Sequence, residues 1–213
     1  CREGKGTHKA LDRFREFAHR ASRNGTRTCW VLKCDIRKFF ASVDHTTLLK
    51  VLRGHIVDSG VNALLAEIVR SFSSTRPGVG LPLGNLTSQL LVNIYMNEFD
   101  KHVKHKLRAK YYIRYADDFV FLSEDRAWLA SLLPQVKEFL EKNLKLSLHP
   151  DKVFIKTLAS GVDFLGWVHF SDHRVLRTAT KRRMLRRLEA CSAENTLASY
   201  RGLLRHGNAK KLT

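Results

Sequence analysis

Tyr115-Ala116-Asp117-Asp118 is the feature of this 213-residue chain that packing explains least well. Adjacent carboxylates repel each other, and the runs on either side, within Lys110 to Ser123, are aromatic and β-branched. The pair is therefore expected at a turn between two strands. A hairpin tip tolerates Asp for its own reasons, but a third carboxylate changes the reading. Asp35 also ends an apolar, β-branched run, Thr28 to Cys34, and is followed by Ile36-Arg37-Lys38-Phe39-Phe40. Three carboxylates that converge from neighbouring strands can hold two divalent ions about 3.5–4 Å apart, the arrangement used for phosphoryl transfer. Oxygen ligands suit Mg²⁺, two ions in this case, with Mn²⁺ able to substitute.

These carboxylates need a frame. His8 to Ser22 repeats Leu11, Phe14, Phe17, Ala18 and Ala21 at helical spacing among arginines, and Asn24-Gly25 stops it. Thr28 to Cys34 reads as a buried strand. Thr46 to Arg53 and Val61 to Phe72 read as helices broken near Asp58-Ser59-Gly60, and Ser73 to Gly84 as a Pro/Gly-rich loop. A longer helix is expected from Leu86 to about Leu107, and the hairpin follows from Lys110 to Ser123. A helix from Asp125 to Asn143 contains Pro134, and short strands follow between Leu146 and Leu176. Two basic helices, about Ala179 to Cys191 and Asn195 to His206, end the chain. The order predicts an α+β fold, a small antiparallel sheet packed on helices with the carboxylates inside the sheet.

Charge narrows the partner. Lys and Arg number 38 against 20 Asp and Glu, a formal charge of +18, and Cys1 to Lys38 and His173 to Thr213 carry +7 and +9 of it. A near-neutral centre between two basic flanks suggests a clamp on a polyanion, nucleic acid by default. Disorder is excluded by the 44% hydrophobic content. No window approaches the roughly 18 uncharged apolar residues of a membrane span, so no membrane partner is expected, and no signal peptide is expected from the charged, Gly-rich residues before the first helix. Cys1, Cys29, Cys34 and Cys191 form no C-x-x-C pair and read as cytosolic thiols, which makes the expected location cytoplasmic.

At these residues the chain resembles the palm of reverse transcriptases. The strand ending in Asp35 with an aromatic five residues on is similar to the family's first catalytic motif, and Tyr115-Ala116-Asp117-Asp118 to its second. The resemblance implies that Asp35, Asp117 and Asp118 are catalytic and metal-binding, with the backbone carbonyl of Ile36 contributing. It makes Phe40 a steric gate against a 2′-hydroxyl, and Lys152 the acid that protonates the departing pyrophosphate. Phe164-Leu165-Gly166 resembles the hairpin that grips the primer end. Arg177, Lys181, Arg182, Arg183, Arg186 and Arg187 resemble the start of a thumb that tracks the nucleic-acid backbone. The implied partition is 1–27, a basic helix at the fingers/palm junction; 28–177, the palm; and 178–213, a basic helical part of the thumb. A fingers region would precede residue 1, so the chain is expected to be part of a longer protein.

The loop Gly80-Leu81-Pro82-Leu83-Gly84-Asn85-Leu86-Thr87-Ser88-Gln89 points to a subgroup, with Leu83, Gly84 and Gln89 implied to contact the nucleotide. In retroviral and group II intron enzymes Gln stands at the position of Leu83 and Pro at that of Gln89. The form here, together with Cys1-Arg2 and Gly4 to Ala10, resembles the reverse transcriptases of diversity-generating retroelements. That resemblance implies an RNA template copied with mispairing opposite adenine, a DNA or RNA primer, deoxynucleoside triphosphates, and a small basic ring-forming accessory protein. An apolar Leu83 also removes a polar contact that could discriminate among nucleotides. A group II intron-like or antiphage-defence reverse transcriptase would share every catalytic residue. A non-catalytic RNA-binding scaffold is the alternative from another class.

Overall fold

The computed structural model describes residues 6–190, 194–205 and 207–208. Its centre is β1 (Trp30–Asp35), which lies between β3 (Asp118–Ser123) and β4 (Phe154–Thr157); β2 (Tyr112–Tyr115) completes a four-stranded sheet in the order β2-β3-β1-β4. All its pairings are antiparallel. A central strand is covered on both faces, and β1 is apolar on both. Leu32 and Cys34 join the larger core, whereas Val31 and Cys29 join a second one. By the same alternation Lys33 and Asp35 share the face of Val31. β3 continues the rule, with Phe119 and Phe121 in the larger core and Val120 and Leu122 in the second.

The larger core lies under a helical layer of α2 (Phe39–Ser42), α3 (His45–Arg53), α4 (Ser59–Arg70), α5 (Leu86–Lys101) and α6 (Arg126–Leu144). The opposite face is covered by α1 (Thr7–Ala21), which buries Leu11, Phe14, Ala18 and Ala21. A second, three-stranded antiparallel sheet follows, β5 (Val162–Phe164), β6 (Trp167–His169) and β7 (Arg174–Leu176). Trp167 and Leu176 there pack with Leu11, with Met184 of α7 (Thr178–Ala190) and with Leu204 of α8 (Glu194–Leu204). The architecture is α+β, helices on small antiparallel sheets, as the sequence pattern predicts.

Several boundaries differ from expectation for identifiable reasons. The break between α3 and α4 falls at 54–58, slightly earlier than expected: the Asp58 carboxylate accepts from the Val61 amide at 2.7 Å, so Asp58 caps α4 and Ser59-Gly60 begin it. Asp44 likewise accepts from the Thr47 amide at 2.8 Å and starts α3 at His45. α5 ends at Lys101, and His102 to Lys106 form a π-helical turn. The wider winding keeps Val103 buried while His102 stacks on Phe139 at 4.1 Å. Pro134 does not interrupt α6. Asp118 belongs to β3 itself, so the hairpin turn is two residues, Ala116-Asp117. The second basic helix ends at Leu204, short of His206, which lies outside the described residues.

Cys29 and Cys34 are free and buried, and burial pushes the Cys29 thiol up to about 12. Cys1 and Cys191 lie outside the described residues. Among the described residues no helix is long and apolar enough to cross a membrane.

Candidate active site

Strand register brings the three carboxylates together. Asp35 pairs with Asp118 at the end of the β1–β3 ladder, and the next amide, that of Ile36, donates to the carbonyl of Asp117 at 3.1 Å. On the other side of β1 the His149 amide donates to the Asp35 carbonyl at 2.8 Å and the Arg37 amide to that of Ser147 at 2.9 Å. The end of β1 is thus fixed from both sides. Asp35, Asp117 and Asp118 occupy one sheet end, with Ile36 buried beneath them.

The charges there are poorly solvated. Burial raises the pKa of Asp118 to about 6, although Lys33, with Nζ 3.3 Å from Oδ2, pulls it down. The other oxygen, Oδ1, is buried and has no protein partner. Burial also raises Asp117, and Asp35 adds repulsion while Lys152 and Lys33 oppose it. Asp35 is held by Lys152, whose Nζ lies 3.2 and 3.4 Å from its two oxygens.

An all-oxygen donor set with one orphaned, buried carboxylate oxygen fits a hard divalent cation. In this arrangement two of the carboxylates face lysines instead, and among the described residues no group of three or more His, Cys, Asp or Glu forms a set that could hold a metal ion. The Asp35–Lys152 pair is readily exchanged, because Lys152 is 55% exposed.

The other predicted residues are distributed around this end. Phe40 is half-buried, edge-on to Phe39 at 5.5 Å, and its carbonyl accepts from the Leu81 amide at 2.8 Å, which ties the loop to the short helix after Asp35. Leu83 is 79% exposed. Gly84 adopts φ 79°, the left-handed region that favours glycine, directly before the Asn85 cap of α5; Gln89 is exposed on that helix. Phe164 is fully buried and stacks on Phe14 at 5.5 Å, so the half-buried turn Leu165-Gly166 is what the β5–β6 hairpin presents. Lys33 joins this hairpin to the carboxylates, because its Nζ also donates to the Asp163 carbonyl at 2.6 Å. Arg177 pairs with Asp163 at 3.0 Å. Lys181 is half-buried, whereas Arg182, Arg183, Arg186 and Arg187 are exposed and line one concavity on α7.

Four residues that sequence reasoning passed over also reach the site. Lys33 is one; the others are Asp100, Tyr112 and Arg114. Arg114 makes a two-pronged ion pair with Asp100, Nε to Oδ1 at 2.9 Å and Nη2 to Oδ2 at 2.6 Å, and donates from Nη1 to the Ala116 carbonyl at 3.2 Å. The available signal was alternation, since Arg114 shares a strand face with Tyr112, and a charge on a core-facing position needs a partner.

Comparisons with known proteins place this geometry in context. The model of the family described as reverse transcriptase (RNA-dependent DNA polymerase) matches residues 1–169. Protein YkfC of Escherichia coli is 28% identical over 221 residues, covering 84% of this chain and 56% of that protein. The group II intron-encoded protein LtrA of Lactococcus lactis is 25% identical over 224 residues, covering 72% of this chain and 36% of that one. Among solved structures, apo telomerase from Candida tropicalis, truncated from its C-terminal domain, superposes with a TM-score of 0.63 at 12% identity, covering 81% of this chain and 40% of that chain. The last likeness speaks to fold alone, and the chain spans little more than half the length of YkfC.

Proposed function

Because the chain belongs to the reverse transcriptase (RNA-dependent DNA polymerase) family, we propose that it carries the palm of an enzyme that joins deoxynucleotides to a primer on an RNA template. The observation that carries this reading is the Asp35–Asp118 register, with Asp117 tied to Ile36 and one Asp118 oxygen unpartnered. Asp35, Asp117 and Asp118, with the Ile36 carbonyl, would hold two Mg²⁺ ions. The ions would supply a deprotonated attacking oxygen and neutralise the triphosphate. The chain's own residues do the rest. Phe40 fills the space beneath the sugar and excludes a 2′-hydroxyl. Lys152, released from Asp35, donates a proton to the leaving pyrophosphate. Lys33 offsets the charge of Asp118 and links the carboxylates to the β5–β6 hairpin, where Leu165-Gly166 supports the primer end. Residues 1–27, 28–177 and 178–213 correspond in this reading to the fingers/palm junction, the palm and the beginning of the thumb, in a cytoplasmic enzyme.

The finer reading is the error-prone enzyme of a diversity-generating retroelement, working with a structured template RNA and a small basic ring-forming protein. Leu83 supports it: an exposed apolar side chain in the loop tied to Phe40 offers no polar discrimination to a nucleotide. The similarity to LtrA favours a group II intron-like enzyme as the second reading. Primer extension on an RNA template with scattered adenines tests both, with Asp117→Ala as control. Extension that the control abolishes is expected. Errors concentrated opposite adenine support the retroelement reading and an even spectrum the intron-like one. No extension with RNA binding intact favours a scaffold.

A further inference from the structure

Asp100 sits where α5 passes into the π-helical turn, with only 24% of its side chain exposed, a costly place for an unpaired charge. Its carboxylate draws three donors, the two guanidinium nitrogens of Arg114 and the Tyr112 hydroxyl at 2.8 Å. The Arg114 side chain is only 9% exposed. Burial works against its charge, and Asp100 more than offsets this and holds its pKa above the ordinary value. A planar fork satisfied by a carboxylate on one edge has a third nitrogen left, and that nitrogen reaches the Ala116 carbonyl. Ala116 is the residue that most needs holding, because its φ of 55° is a left-handed conformation that a Cβ disfavours. One residue later comes Asp117.

We propose that Asp100 and Arg114 are positioning residues that brace the Ala116-Asp117 turn against α5 and so fix Asp117 relative to Asp35. The brace touches neither the carboxylates nor substrate; it acts through the turn's backbone. Lysine cannot replace arginine here, since an ammonium cannot grip both carboxylate oxygens in plane and still donate to the carbonyl. The inference rests on the polymerase reading for its effect on turnover, but its effect on the turn can be read without any activity.

The test compares the chain with Arg114→Lys and, as a milder second variant, Asp100→Asn. The first readout is amide hydrogen exchange by NMR at Ile36, whose N–H donates to the Asp117 carbonyl, against Leu32 and Phe121 in the middle of the sheet. Exchange at Ile36 should accelerate roughly tenfold or more on loss of a charge-assisted contact, with the sheet centre unchanged. The second is steady-state primer extension. The kcat should fall about 10- to 100-fold with KM for the deoxynucleotide within about threefold, the split expected when geometry at the reacting centre is lost rather than binding. Unchanged exchange at Ile36 in both variants overturns the proposal. So does equal acceleration at Ile36, Leu32 and Phe121, which would make the pair a general stabiliser of the sheet. If the unmodified chain extends no primer, the polymerase reading fails, and the exchange measurement still decides the brace.

Discussion

A carboxylate at the position of Asp118 is costly to bury, and Lys33 at 3.3 Å offsets the cost for one oxygen only. That imbalance supports the candidate site more directly than sequence spacing does, since a hairpin tip could hold Asp for conformational reasons alone. Asp35 and Asp117-Asp118 were legible from sequence because three carboxylates at strand ends have few structural uses. Arg114 and Asp100 were not, because they lie 14 residues apart on a helix end and a strand, and neither pattern shows that the two meet. Leu83 belongs to the same scale. At 79% exposure it contributes little to folding, so Leu83→Gln should alter stability by less than about 0.5 kcal/mol. A change in copying can then be attributed to the loop rather than to a loss of folded protein. We expect misincorporation opposite adenine to fall roughly three- to tenfold, read by sequencing extension products; an unchanged error spectrum would remove Leu83 from the fidelity argument.

Elements whose apolar period is long, such as α1, α5 and α6, can be delimited from sequence, whereas β5, β6 and β7 are expected only as short strands between Leu146 and Leu176, because three residues each are too few for an alternation to set their bounds. The break before α4 is expected a few residues too late for a different reason: the same residue types serve turns and caps, and only the Val61 amide 2.7 Å from Asp58 distinguishes them. Asp58→Ala should therefore destabilise the chain by about 1 kcal/mol, seen as a lower urea midpoint with unchanged slope. The junction between α1 and the second sheet gives a pH prediction. His169 of β6 is buried against Phe14 with ring centroids 4.3 Å apart, and its Nε2 has no partner. Burial lowers its pKa to about 4, with Arg174 and Lys33 adding repulsion and the Phe164 backbone opposing. The folded value lies below the ordinary 6.5, so the unfolded chain takes the proton first. Stability contributed here is complete above about pH 6.5 and falls as pH drops towards 4, by up to about 3 kcal/mol. The stability difference between the chain and His169→Gln, followed by urea unfolding from pH 7.5 to 4.5, should narrow by that order; a constant difference would show that His169 does not titrate in this way.

At the scale of the molecule, charge is divided from chemistry. Asp117 and Asp118 lie in the near-neutral middle of the chain and Asp35 at the inner edge of its basic first segment, while the first 38 and last 41 residues hold +16 of the +18. Lys152 and Lys33 neutralise the carboxylates locally, so the excess lies elsewhere. Part of it is concentrated on α7, where Met184 faces the core and Arg182, Arg183, Arg186 and Arg187 surround one concavity. Four guanidiniums on one surface repel one another, and a polyanion among them would relieve that repulsion. Changing all four to Gln keeps a similar helix propensity and leaves the Met184 side untouched, so the melting temperature should hold. Each phosphate contact removed lowers the dependence of binding on salt by about 0.9 in the slope of log K against log salt for a duplex. Loss of all four should lower the slope by about 3.6 for an RNA–DNA duplex, measured by fluorescence anisotropy between roughly 50 and 200 mM salt. A slope unchanged by the quadruple substitution would place the duplex elsewhere on the basic surface and leave α7 as a solvated helix, whatever becomes of the carboxylates.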